Sequence, residues 1–110
     1  MDLMNDLNYK IQELDKNIEL LRISGKKYAE AERDYKVLLR QECLKLKHEG
    51  MAIGMIDKTC YGIPEVAEKR FQRDVAEVMY KANQENINSI KLQMRLLENQ
   101  IQREYGNCQN

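Results

Sequence analysis

The densest set of side chains able to do chemistry in this 110-residue chain is Lys58, Thr59 and Tyr61, followed by Lys69, Arg70 and Arg73. The set straddles Pro64, where a helix is expected to begin. The first turn of a helix presents free amide groups and a partial positive charge, and so holds anions. Cations at this place would neutralise phosphates, and Tyr61 would pack on a base or ring. The six residues are therefore candidate ligand-binding residues for a small phosphorylated nucleotide. No G-x-x-x-x-G-K-[ST] loop accompanies them, and Gly50 and Gly54 lack the G-x-G-x-x-G spacing. The same segment also carries Met51, Ile53, Met55, Ile56 and Ile63, which read equally as an apolar plug for the end of a bundle.

Catalytic chemistry finds less support. Cys43, Cys60 and Cys108 are odd in number and have no close pair in sequence, so neither a disulfide framework nor a C-x-x-C site is expected. They read as one cysteine in a helix, one in a loop and one in a tail. With His48 the only histidine, a zinc site would need several chains to contribute, and the Glu-x-x-His pairs of a di-iron bundle cannot form. A nucleophile pair of Cys43 or Cys60 with His48 lacks a third, orienting group. H-E-x-x-H, G-x-S-x-G and D-x-D-x-D-G motifs are missing as well. A non-enzymatic protein without cofactor or metal is the expectation.

The elements that would position these residues are two long helices. Leu7, Ile11, Leu14, Ile18 and Leu21 follow heptad steps, and the seam resumes through Tyr28, Ala31, Tyr35, Leu38, Leu39 and Leu46. Between them lies a weak point at Gly25. With no proline before position 64, one helix from about residue 2 to 48 is expected, capped by Asp2 and ended by Gly50. An ordered loop is expected over 49–63. A second helix follows over about 64–105, starting at Pro64 with Glu65 and Glu68 in its first turns. Its seam reads Phe71, Val75, Val78 and Ala82, then Ile87, Ile90, Met94, Leu97, Ile101 and Tyr105. Gly106 is the expected stop, with a frayed tail over 106–110. Folded about Ile56, the chain would set Gly25 opposite Ile87.

The fold class expected is all-α: a single domain forming a long antiparallel helical hairpin that associates into a helical-bundle oligomer. Leu20, Ile23, Leu38, Leu39, Leu92 and Leu96 widen the apolar stripe beyond what one partner helix covers, which favours self-association. The charges balance, 18 basic against 18 acidic, and each half of the chain is also neutral. A broad nucleic-acid surface needs a local excess of Lys and Arg, so direct nucleic-acid binding is not expected. No apolar run approaches the roughly 20 residues of a membrane span. Polar residues from Asp2 to Lys10 interrupt any secretory core, which points to a cytoplasmic protein.

Two stretches are distinctive. One is Gly25-Lys26-Lys27-Tyr28-Ala29-Glu30-Ala31-Glu32, continuing to Asp34-Tyr35. The other is Arg70-Phe71-Gln72-Arg73-Asp74-Val75-Ala76-Glu77, continuing through Tyr80-Lys81 and Ile87-Asn88-Ser89-Ile90-Lys91 to Arg95-Leu96-Leu97-Glu98-Asn99-Gln100-Ile101. Over residues 20 to 106 the chain resembles a family of small, mostly uncharacterised helical proteins encoded by phages and prophages of low-GC Gram-positive bacteria. The resemblance implies a phage protein working in the host cytosol, with no catalytic residues to carry over. The resemblance further implies an antagonist of host antiviral defence, one that sequesters a nucleotide signal or blocks a host protein. The alternatives are an accessory protein of phage DNA replication or recombination that acts by docking, or a coiled-coil scaffold.

Overall fold

The computed structural model describes residues 2–109, and the side chains of residues 2–106. The described residues form three helices and no strand: α1 (Leu3–His48), α2 (Ile53–Tyr61) and α3 (Pro64–Gln109). None is long and apolar enough to cross a membrane. α1 starts where its first residues dictate, because the Met4 amide donates to Asp2 Oδ1 at 3.0 Å. It runs unbroken through Gly25 for 46 residues. Its end is a Schellman turn. Gly50 takes φ 87°, its amide donates to the Lys47 carbonyl, and the Met51 amide reaches the Leu46 carbonyl, both at 3.1 Å.

Two sequence expectations change here. The 49–63 segment is not a loop throughout, since nine of its residues form α2. α2 has no side-chain N-cap, and a free helix that short would not persist in water. What holds it is burial of Ile56 and Cys60, one turn apart on a single face. α3 also passes Gly106 and continues to Gln109. Gly106 does not take the left-handed conformation that ends a helix, so it costs some stability without stopping the helix. Asn110 lies outside the described residues.

The chain packs as two compact units. One comprises residues 1–23 and 81–110, and its core is Ile87 and Ile90 of α3. Leu7, Leu14, Ile18 and Leu21 are half-buried there, and Asn83 Nδ2 donates to the Leu20 carbonyl at 3.3 Å. The other comprises residues 24–80, with Tyr35, Ile56, Cys60 and Val66 at its core. In this second unit Gly25 meets Tyr80 while Tyr35 meets Arg73, so α1 and α3 run antiparallel.

The expected pairing of Gly25 with Ile87 is replaced by a pairing with Tyr80, two turns earlier on α3. A Cβ on Gly25 would lie 3.1 Å from Tyr80 Cε2, so the glycine is what admits the ring. Tyr28 adds a tilted ring contact at 5.9 Å between centroids. Glycine thus serves opposite purposes along the chain. Gly50→Ala should lower the unfolding free energy by about 1 kcal/mol, the cost of a Cβ in the left-handed region. Gly54→Ala, inside α2 with nothing within 4 Å, should raise it by about 0.5–1 kcal/mol. Urea midpoints of the two variants check both signs.

Candidate functional site

The six candidate ligand residues all lie in the 24–80 unit, at the junction of α2 and α3. Tyr61 is the last residue of α2. Gly62 ends that helix, its amide donating to the Thr59 carbonyl at 3.1 Å, and Pro64 opens α3. Lys58 is exposed, whereas Thr59, Lys69, Arg70 and Arg73 are half-buried. The Arg70 guanidinium sits 5.8 Å from the centroid of the half-exposed Tyr61 ring.

Arg73 turns elsewhere. Its guanidinium lies 4.6 Å from the centroid of Tyr35 on α1, and Nη2 is 2.9 Å from Asp74 Oδ1. Burial works against that charge. Asp74, Tyr35 and Glu32 outweigh the burial, so the Arg73 pKa is raised and the group stays cationic. The expected cluster therefore divides. Arg70 pairs with Tyr61 near the surface, while Arg73 is drawn inward onto Tyr35 and neutralised by its neighbour.

The same inward turn decides which side of α3 is covered. Arg73 and Tyr80 meet α1 in this unit, and Val66, seven residues before Arg73 on the same face, is buried. The Phe71–Val75–Val78 stripe that the heptad pattern assigns to the seam points outward instead. Phe71 is 63% exposed, Val75 46%, Val78 65% and the neighbouring Met79 56%. Val66 and Val75 are nine residues apart, about half a turn around a helix of 3.6 residues per turn. The helix is therefore apolar on two opposite sides, only one of which meets α1.

A cleft of about 670 Å³ lies in the other unit, among Asp2, Leu3, Asp6, Ile101, Glu104 and Tyr105. Its three carboxylates repel phosphate, and it offers no Lys or Arg. The described residues include no group of three or more His, Cys, Asp and Glu placed to hold a metal ion.

The sequence did not reveal one pair. Cys43 and Cys60, seventeen residues apart, approach to 2.8 Å between sulfurs as free thiols. Cys43 is half-buried on α1, and Cys60 is fully buried on α2. The Gly50 turn brings them together, a signal that cysteine spacing alone does not carry. Cys108's side chain lies outside the described ones.

These features define an all-α protein of two long helices joined through a short third one. Comparisons with protein families, with curated proteins and with solved structures find no match.

Burial, the hydrogen bond with Cys43 and the charges of Cys43, Asp57 and Glu42 push the Cys60 pKa from its ordinary 9.0 up to about 11. A thiol whose pKa is higher folded than unfolded gives stability that is complete below the unfolded value. That stability is lost as pH rises through the folded one. Between pH 9.0 and about 11 the chain should therefore lose more stability than its Cys60→Ala variant does. Urea titrations at the two ends of that interval read the difference, and parallel losses would remove the assignment.

Proposed function

We propose that the protein is a non-enzymatic, self-associating helical binding protein of phage type. It acts in the host cytosol and antagonises antiviral defence by blocking a host protein. The outward side of α3 carries this reading. Phe71, Val75 and Val78 keep heptad steps of four and three, the spacing of a seam that packs against another helix. Burying an exposed Phe or Val contributes on the order of 1.5–3 kcal/mol. A second copy presenting the same stripe about a two-fold axis gives each residue an apolar partner, as an isologous interface requires. In the other unit Leu20, Ile23, Leu92 and Leu96 are also exposed, and they offer further apolar surface for docking.

One observation favours the sequestration variant of this reading. Arg70 over the half-exposed Tyr61 is a guanidinium and a ring offered together, with Lys69 beside them on α3 and Lys58 on α2. Such a pair can stack on a base and neutralise a phosphate. Arg73 does not join it, being occupied by Asp74 and Tyr35. A thermal-shift panel of cyclic and ADP-ribose-type nucleotides should then raise the melting temperature of the wild type and leave Arg70→Glu unmoved. No shift across the panel leaves protein blocking as the sole mode.

The self-association reading has its own test. Sedimentation equilibrium of the wild type should give a multiple of the 13.0 kDa chain mass. Phe71→Lys combined with Val78→Glu should give that of one chain with unchanged helix content, because both side chains already stand in solvent. The same double variant should no longer relieve defence in plaque assays on a protected host. A wild type that sediments as a single chain at tens of micromolar would overturn the proposal.

A further inference from the structure

We propose that Cys43 and Cys60 are a peroxide-responsive dithiol, forming an intrachain disulfide that ties α2 to α1. The two sulfurs stand 2.8 Å apart, and less than about 1 Å of movement closes them to bonding distance. Their surroundings divide the work. Cys43 is half-buried and within reach of a small oxidant, whereas Cys60 has no exposed surface and is reached through Cys43.

The oxidant is hydrogen peroxide. The Cys43 thiolate attacks one peroxide oxygen, the O–O bond breaks, and the departing hydroxide takes up a proton as water. Cys43 is then a sulfenic acid. Cys60 attacks the Cys43 sulfur, the S–S bond forms and the S–O bond breaks. The leaving hydroxide accepts the Cys60 proton and departs as a second water. Two thiols are oxidised and one peroxide is reduced to two waters. A raised Cys60 pKa slows the second step in free solution, and the short sulfur–sulfur approach compensates by making that step intramolecular.

The consequence falls on α2. That helix lacks a side-chain cap and is held by Ile56 and Cys60, so its persistence rests on few contacts. The bridge would close a ring around the Gly50 turn and remove much of the freedom that lets α2 detach. In a reducing compartment the pair rests as thiols, and thioredoxin-type exchange restores it.

The full chain carrying Cys108→Ser is treated with hydrogen peroxide and weighed intact. The expected product is a single chain lighter by two hydrogens, with one peptide pair joined through residues 43 and 60. Amide exchange in residues 53–61 should slow roughly tenfold or more, and a thiol reductant should reverse both changes. Adding Cys43→Ser to that background should abolish the mass loss and the exchange effect. Oxygen adducts on separate cysteines, or a bridge between two chains, would overturn the proposal. So would a bridge that leaves exchange in residues 53–61 unchanged.

Discussion

The Arg73 guanidinium lies over the Tyr35 ring, and the rotation of α3 about its axis within the 24–80 unit follows from that contact. A cation over a ring contributes about 0.5–1 kcal/mol at exposed sites and more as the pair leaves water. Here Tyr35 is only 5% exposed, and Asp74 neutralises the charge at 2.9 Å. Seven residues on, at the same angular position two turns along α3, Tyr80 enters the space left by Gly25. Seven residues back is Val66, fully buried. Three positions at heptad spacing thus share one face. The cationic one among them is held against the aromatic face of the buried Tyr35.

That rotation has a cost elsewhere. Turning α3 by half a turn would bury Phe71, Val75 and Val78, worth several kcal/mol by apolar area. It would also expose Val66 and Tyr80, break the Arg73–Tyr35 contact and empty the slot beside Gly25. Phe71, Val75 and Val78 are the more hydrophobic set, and the opposite face turns inward through shape and the aromatic contacts. With Arg73 and Tyr80 turned onto α1, the Phe71–Val75–Val78 side stays exposed. The exposure of Phe71, Val75 and Val78 therefore originates in the packing of the 24–80 unit itself.

How much of this could be read from the sequence depends on how local each signal is. Asp2, Gly50 and Pro64 act within a few residues of themselves, and all three stand where the spacing of residue types puts them. Most of the α1 seam was legible, since Leu14, Leu21, Tyr28 and Tyr35 repeat every seven residues and turn inward together, although Ile11, read into the same seam, is exposed. On α3 the stripe Ile87, Ile90, Met94, Leu97 and Ile101 turns inward as its spacing indicates, but the inward face within the 24–80 unit was not legible. Hydropathy ranks Phe71 as core and Arg73 as solvent, and it has no term for a guanidinium on a ring or for a ring beside a glycine. α2 escaped notice because nine residues containing Gly54 and lacking a cap have weak local propensity. Tertiary burial of Ile56 and Cys60 overrides it. Of the six candidate ligand residues, the structure joins Tyr61 to Arg70 and sends Arg73 to another partner, a division that spacing alone could not distinguish.

The cysteines show why the connecting segment matters more than its length suggests. Cys43 sits on α1, two helical turns before the Gly50 turn, and Cys60 one residue before the end of α2. Neither position is unusual alone. The positive φ at Gly50 turns the chain back, and α2 then forms with Ile56 and Cys60 on one inward side. Had 49–63 been an irregular loop, Ile56 and Cys60 would not share a face, and nothing would hold the Cys60 sulfur beside Cys43. Residues selected by packing, a glycine for the turn and an apolar pair for the helix, bring two thiols within 2.8 Å as a by-product. The same few residues thus determine whether α2 exists and whether a bond between Cys43 and Cys60 is geometrically available.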